Sequence, residues 1–402
     1  MGEKRLTTYQ YRIKDGNQRS RRALQRFAST TNFVWNYVNE TTTTAWKRDR
    51  KWLSNTDLDL LLTGSSKLLD IHSQTLQAIS KEHTIRRGQF RKCKLRWRTA
   101  KRNLGWVPFK ASGVKLQEDR LTYQGTTLRF WKSRDCPADA TLKTGQFSQD
   151  ARGRWYVSLQ FEVLGLLPHE GTQENGIDLG LKNLATLSDG STHSRENLTR
   201  ESEEKLAKMQ KAHKKKQVKT VHAKIANQRL DWAHKSTTKI VRQSLRIAVG
   251  VLQILGMMKT KMAKSVADAA WGQWVGILLY KAMAHGIQCV QVNESYTTQT
   301  CHGCQQRTGP RGIRELHVRQ WCCKHCGVLH DRDVNAAWNI FYKAYGRWPQ
   351  GPPKVLQQEA FGLLGETEAV SPAPCHGMCE HSKQGEESEA STAHRSGHGS
   401  PF

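Results

Sequence analysis

The sequence predicts an α/β protein of more than one domain, and three observations lead there. Between residues 246 and 294, strand, helix and strand follow in order: "RIAVGVLQIL" is an apolar run of strand length, "ADAAWGQWVGILLYKAMAHG" has helical spacing up to Gly286, and "IQCVQVNE" reads as a strand again. Between Ser112 and Val163, runs such as "RLTYQGTTLRFW" and "RWYVSLQFEV" alternate, or gather β-branched and aromatic residues between turns, as an antiparallel sheet or small barrel does. At 402 residues the chain can fill two or three domains, yet only 37% of it is apolar, too little for one continuous core.

Taken in order, residues 5–13, "RLTTYQYRI", alternate as a strand. The chain then shifts to helical spacing, with Phe27, Val34 and Val38 on one stripe. That helical character is expected to continue through "LDIHSQTLQAISKEHTIRRGQFRKCKLRWRTAKR" until Gly105 and Pro108 break it in "NLGWVPFK". "LGLLPHEGTQEN" reads as a linker, and "GIDLGLKNLATLSDG" as strand, tight turn, strand and Asp-Gly turn. A long helical stretch follows with Lys205, Lys208, Lys211, Lys214, Lys215, Lys216 and Lys219, a spacing that serves a solvated face or a nucleic-acid contact equally well. From about residue 349 Pro, Gly, Ser and Glu dominate, which predicts a disordered tail. Its Cys375, Cys379 and His381 read as incidental rather than as a metal site.

Lys and Arg number 63 against 35 acids, a formal net charge of +28 that calls for a polyanionic partner. The excess is partly concentrated. "RRGQFRKCKLRWRTAKR" holds nine bases and no acid, and rings for stacking lie among them. Arg86, Arg87, Arg91, Lys92, Lys94, Arg96, Trp97, Arg98, Lys101 and Arg102 are therefore the candidate nucleic-acid-binding residues. The start of the chain lacks a signal-peptide core and no stretch of about 18 apolar residues occurs, so a cytoplasmic protein with no membrane partner is expected.

Cys301, Cys304, Cys323 and Cys326 form C-x2-C-x18-C-x2-C, the spacing of a structural zinc ribbon in which four thiolates close a tetrahedron. Cys322 is adjacent, but only Cys323 stands two residues before Cys326. Asp178 interrupts an otherwise apolar strand, where an acid is costly unless solvated, paired or bound to a cation. Asp333, in "HDRDVNAAWNI", precedes a helical run and taken alone reads as its N-cap. Glu294 ends the strand that leads into the first cysteine pair.

Together, "GIDLGLKNLATLSDG", "NQRLDWAHKST", "NESYTTQTCHGC", the second cysteine pair and "HDRDVNAAWNI" resemble the RuvC-like nuclease and zinc ribbon of the TnpB (OrfB) family. These are transposon-encoded RNA-guided DNA nucleases related to compact type V CRISPR effectors and to Fanzor proteins. "FVWNYVNE" and "GWVPFK" are more loosely similar to that family's N-terminal motifs, so the likeness spans about residues 5–345. By this resemblance Asp178 is the first catalytic carboxylate and Asp333 the last, with Asp331 an alternate. Many relatives carry the middle acid where this chain has Gly250, and no Asp or Glu occurs between Asp231 and Asp268. Some members carry it instead on the strand entering the ribbon, the position of Glu294.

The resemblance implies an RNase H-like (RuvC) nuclease domain, 171–296 with 328–348, interrupted by a zinc ribbon at 297–327. It also implies a β-barrel from 1–14 and 110–170 and a helical recognition domain at 15–109. The implied cofactors are Mg2+ (or Mn2+) on Asp178, Glu294 and Asp333, Zn2+ on the four cysteines, and a guide RNA. The partners would be that RNA and double-stranded target DNA, bound by a monomer or a homodimer on the RNA. Loss of the usual middle acid keeps a guided DNA-binding repressor without cleavage as the alternative. A strand-transferase fits less well with a ribbon inserted between the acids. A His-hydrophobic-His transposase is disfavoured because none of the 16 histidines lie two apart.

Overall fold

The computed structural model describes residues 4–14, 16–91, 94–137, 140–194, 202–252, 259, 263–311, 315 and 317–350. Lys92 and the tail with Cys375, Cys379 and His381 lie outside them. The chain divides into two compact units, one formed by residues 1–168 and 198–230, the other by 169–197 and everything from 231 onward.

The first unit opens with β1 (Lys4–Ile13), followed by α1 (Gln18–Asp49), α2 (Asn55–Leu61), α3 (Ser65–Leu68) and α4 (Ser73–Phe90). The Asn17 side chain caps α1, and Ser54 with Asp57 forms a capping box on α2, so both helices begin where a side chain satisfies free amides. Then come β2 (Trp106–Lys110), β3 (Val114–Gln117), β4 (Arg120–Tyr123), β5 (Thr126–Trp131), β6 (Thr141–Gln149) and β7 (Trp155–Leu164). With β1 they make a nearly closed seven-stranded sheet in the order β2-β6-β7-β1-β5-β4-β3. Phe27 and Val34 of α1, Leu76 and Ile79 of α4, and Tyr11, Phe109, Phe130 and Trp155 of the sheet share one apolar core.

Helix α4 stops earlier than its periodicity suggests. Arg91 turns left-handed, with φ 48°, and residues 94–98 run as irregular chain along α1. The cause is specific: Asn39 donates to the Leu95 carbonyl and accepts from its amide, while Asn36 does the same with Arg98. Side-chain amides thus take the hydrogen bonds that a longer helix would have made internally.

The second unit contains β8 (Gln173–Leu179), β9 (Ala185–Leu187) and β10 (Thr192–His193). Helix α5 (Glu203–Lys211) belongs with the first unit, and the boundary between the units falls inside α6 (Lys215–Gln243). The lysines 205–219 on these helices are exposed. Next come β11 (Ser244–Val251), α7 (Ala263–Ala269), α8 (Trp271–Ala284), β12 (Gln288–Asn293), β13 (Gln320–Cys322), β14 (Leu329–Asp331) and α9 (Arg332–Tyr345). The expected single helix before β12 is two, because Ala270 between them turns left-handed at φ 50°.

The sheet order is β10-β9-β8-β11-β12, with β8, β11 and β12 parallel and β9 and β10 antiparallel. One face packs on α6 and α8 through Ile177, Ile247, Val249, Ile240 and Leu278. The other packs on α9 through Ala248, Val292, Ile340 and Phe341. This is a mixed α/β layer arrangement. The approach of α9 is unusually close: a Cβ added to Gly176 would lie 2.8 Å from the carbonyl carbon of Ala337, so only glycine fits there. Among the described residues, no helix is long and apolar enough to cross a membrane.

Candidate active site

Strand register brings the first two acids together. Ile177 pairs with Val249, so Asp178 and Gly250 stand one step further along neighbouring parallel strands, and Gly250 in turn pairs with Val292. Side chains alternate faces with period two, which turns Asp178, Gly250 and Val292 toward α9. Glu294 lies two residues beyond Val292 and shares that face. Its carboxylate folds back over Gly250, and a Cβ built on Gly250 would lie 2.6 Å from Glu294 Cδ. The space left by the absence of a side chain at Gly250 is therefore the space that the Glu294 carboxylate uses.

Helix α9 delivers the third carboxylate. Asp331, not Asp333, is its N-cap: Asp331 Oδ1 accepts from the amides of Asp333 and Val334, both at 2.9 Å. This corrects the local reading of Asp333 as the cap. Freed from that task, Asp333 projects from the first turn, where Arg319 Nη1 donates to its Oδ2 at 2.9 Å and Arg332 Nε to its Oδ1 at 3.1 Å.

The electrostatics register the crowding. Burial, and then the charges of Glu294 and Asp333, push the Asp178 carboxyl well above the ordinary carboxylate range, with Arg332 opposing. Burial raises Glu294 to about 7. Part of the Glu294 side chain reaches the surface, but its Oε1 is buried and has no hydrogen-bond partner. An orphaned buried carboxylate oxygen beside two further acids is a donor set that suits a hard divalent cation bound through oxygen. The residues present fit Mg2+ or Mn2+. Such an ion would have to compete with Arg319 for Asp333.

Helix α9 also holds the segment that carries Glu294, a feature sequence reading missed. Asn335 Nδ2 donates to the carbonyls of Thr297 and Thr300 at 3.2 and 2.8 Å, and Asn339 Nδ2 donates to Thr297 at 2.9 Å. Lys343 Nζ donates to the carbonyl of Asn293 at 3.3 Å, and Thr297 in turn bonds back to the Glu294 carbonyl. Two buried asparagines at i, i+4 inside a helix were the available signal, since Asn is poor there unless its amide has work outside the helix.

The four cysteines form a compact group. Cys301, Cys304, Cys323 and Cys326 have sulfurs all within 4.8 Å of one another, and the carboxylates are spread more widely. Both pairs sit on matching knuckles. The carbonyl of Cys301 accepts from Gln305 and that of Cys323 from Gly327, and Gln305 and Gly327 are left-handed at φ 60° and 72°. Cys322 points elsewhere, donating to the Gly327 carbonyl. The geometry suits a structural zinc.

The basic run does not act as one surface. Arg98 is held inside by Asn32 Oδ1 at 2.8 Å and lies over the rings of Trp35 and Trp106. Arg87 donates to the Leu53 carbonyl and covers Trp52. Arg86 and Lys94 pair with Glu82 and Glu40. Arg91, Arg96, Trp97, Lys101 and Arg102 are exposed. Arg86, Lys94, Arg96, Lys81 and Lys110 line a groove of about 1040 Å³ together with Phe90 and Trp106.

Two family models match this chain, one described as "Cas12f1-like, TNB domain" over residues 271–340 and one as "Probable transposase" (OrfB) over residues 166–261. A Streptomyces pristinaespiralis protein named "Putative RNA-guided DNA endonuclease" is 30% identical over 346 residues, which span 79% of this chain and 84% of that one. InsQ of Escherichia coli K12, with the same description, is 26% identical over 382 residues, 84% of this chain and 92% of its own. Among solved structures, the protein in a "Cas12f1-sgRNA-target DNA complex" shares the fold at TM-score 0.54 and 11% identity, covering 81% of this chain and 83% of that one. The sequence match to the OrfB model and to the Streptomyces relative places the chain in the OrfB class of transposon proteins. Within that class, the chain is a member of the TnpB family.

Proposed function

We propose that this chain is an RNA-guided DNA endonuclease that hydrolyses phosphodiester bonds at Asp178, Glu294 and Asp333 in an RNase H-like (RuvC) domain formed by 171–296 and 328–348. The observation that supports the reading most is the seating of the Glu294 carboxylate over Gly250, which would let Glu294 serve as the middle acid from a neighbouring strand. The names of the relatives, and the sgRNA and target DNA in the complex of the structural neighbour, support the RNA and DNA partners. Sequence choice would then lie in guide pairing, with the protein reading shape and a short flanking motif.

Within the reaction, burial, joined at Asp178 by the charges of the neighbouring acids, holds the Asp178 and Glu294 carboxyls above the ordinary carboxylate range, and both act as ligands in the ionised form that a bound cation would favour. Asp333 must exchange Arg319 for the cation, while Arg332, buried behind it, can stay in place. A bound pair of Mg2+ or Mn2+ ions would supply an activated water and stabilise the leaving oxygen. The clamp of Asn335 and Asn339 holds the Glu294 segment on the same helix that carries Asp333, so the acids keep their spacing when substrate arrives.

The test is purification with co-bound RNA, sequencing of that RNA, and incubation with matching duplex DNA. Cutting that requires Mg2+ or Mn2+ and is lost in Glu294→Ala, with binding retained, is the expected result. Binding without cutting by the wild-type chain would favour the guided repressor, and absence of RNA would defeat the guided reading altogether.

A further inference from the structure

We propose that His330 is an outer-sphere partner of the ribbon zinc, its neutral imidazole donating the Nε2 proton to the Cys301 thiolate. This rests on the four cysteines holding zinc.

The His330 Nε2 atom lies 3.0 Å from Cys301 Sγ, and both residues are buried, at 2% and 0% exposure. The nitrogen is too close to the sulfur to be a fellow ligand. In a tetrahedron with the usual Zn–S and Zn–N lengths, a sulfur and a nitrogen stand about 3.5 Å apart and two sulfurs about 3.8 Å. The cysteine sulfurs meet that expectation, with Cys301–Cys326 and Cys304–Cys323 each at 3.6 Å. Among the described residues only the four sulfurs lie mutually within 4.8 Å, which leaves the imidazole outside the cluster.

Such a donor would add to the backbone amides of Gly303 and Cys304 that already point at Cys301. Four thiolates on one Zn2+ carry two net negative charges, and burying them is costly unless N–H or O–H groups point at the sulfurs. Cys326 is exposed to solvent, and Cys323 has the Thr308 hydroxyl at 3.1 Å. Cys301, like Cys323, is fully buried, and His330 is the side chain beside its sulfur. A metal-bound thiolate only accepts, so Nε2 must carry the proton. Trp321 lies against the imidazole with ring centroids 4.5 Å apart and His302 meets it edge-on at 4.8 Å, fixing its plane. His330 immediately precedes Asp331, the cap of α9. The contact therefore ties the metal site to the start of the helix that carries Asp333.

The experiment compares full-length wild type with His330→Phe, which keeps a ring but no N–H, and His330→Gln, which keeps an N–H. Zinc stoichiometry is measured first, then affinity by chelator competition, then the Co2+-substituted absorption spectrum. The expected result is one zinc per chain in the wild type, an affinity lowered about 10–100-fold in the Phe variant and partly restored by Gln, and a four-thiolate Co2+ spectrum throughout. Wild-type affinity in the Phe variant would reduce the contact to packing and overturn the proposal. A wild-type spectrum of three thiolates and one nitrogen would also overturn it, making His330 a ligand. If the Phe variant does not fold, Gln is compared with His330→Ala, and equal affinities for the two sink the idea. A wild-type chain that binds no zinc defeats the four-cysteine reading itself, a failure distinct from the others.

Discussion

Glu294 and Gly250 compete for the same volume: the carboxylate of one occupies the place where any side chain on the other would begin. Exchange should therefore succeed where single changes fail. Glu294→Ala is expected to lower cleavage by at least about a hundredfold, in line with the loss of a metal ligand. Gly250→Ala should also impair cutting, because its methyl displaces the carboxylate. Gly250→Glu combined with Glu294→Ala should recover a measurable part of the activity, since both origins lie on the α9 side of the sheet and the Glu294 carboxylate already folds back over Gly250. Rates of duplex cleavage at fixed Mg2+ check all three, and a double variant no better than Glu294→Ala would show that the two positions are not interchangeable.

The raised carboxyl of Glu294 makes a signed prediction about pH. Folding lifts it from 4.5 to about 7, so the folded chain holds a proton that the unfolded chain releases. That stabilisation is present below about 4.5 and is lost as pH rises through about 7. Glu294→Gln has no such loss. Without divalent cation, the variant should gain on the wild type between pH 5 and pH 8, by on the order of 3 kcal/mol at most. Mn2+ should stabilise the wild type at pH 8 and do less for the variant. Denaturant melts at several pH values, with and without Mn2+, measure both effects, and a pH-independent difference would mean that Glu294 is freely solvated.

Arg319 and a cation should exclude one another at Asp333. Replacing Arg319 by Gln removes the competitor, so the apo protein is expected to bind Mn2+ a few-fold more tightly, about 1 kcal/mol for a half-exposed ion pair. Mn2+ titration followed by electron paramagnetic resonance reads this directly. Unchanged or weaker binding would show that the arginine supports the site rather than guarding it.

The basic run should separate into two behaviours. Neutralising exposed Arg91, Arg96, Lys101 and Arg102 is expected to flatten the slope of log affinity against log salt, by up to about 0.7–0.9 per phosphate contact removed. Arg98→Ala should instead cost about 2 kcal/mol of stability, through lost hydrogen bonds and ring contacts. An unchanged salt slope in the first set would mean that this face does not touch phosphates.

Much of the site was legible because its signals are local. The two cysteine pairs have ligand spacing wherever they fold, and Asp178 stands out as an acid in an apolar strand. The "DRD" segment announced a helix start, but not which aspartate would cap it. That choice followed from the backbone turn at Asp331, whose carboxylate reaches two amides and leaves Asp333 free. Arg87 and Arg98 show a related effect. A run of bases looks like a surface, yet asparagines and tryptophans some 35 to 66 residues away draw these two inward.

By itself, then, the sequence determined the alternation of strands and helices and the spacing of the four cysteines, because periodicity and spacing depend on neighbours along the chain, whereas the three acids were picked out as a set only by the family resemblance. Only the tertiary structure decided that Glu294 fills the gap at Gly250, that Arg319 covers Asp333 and that His330 meets Cys301. Each of those depends on the register of strands or helices far apart in sequence. A shift of one residue in a parallel strand would turn the same side chain to the opposite face.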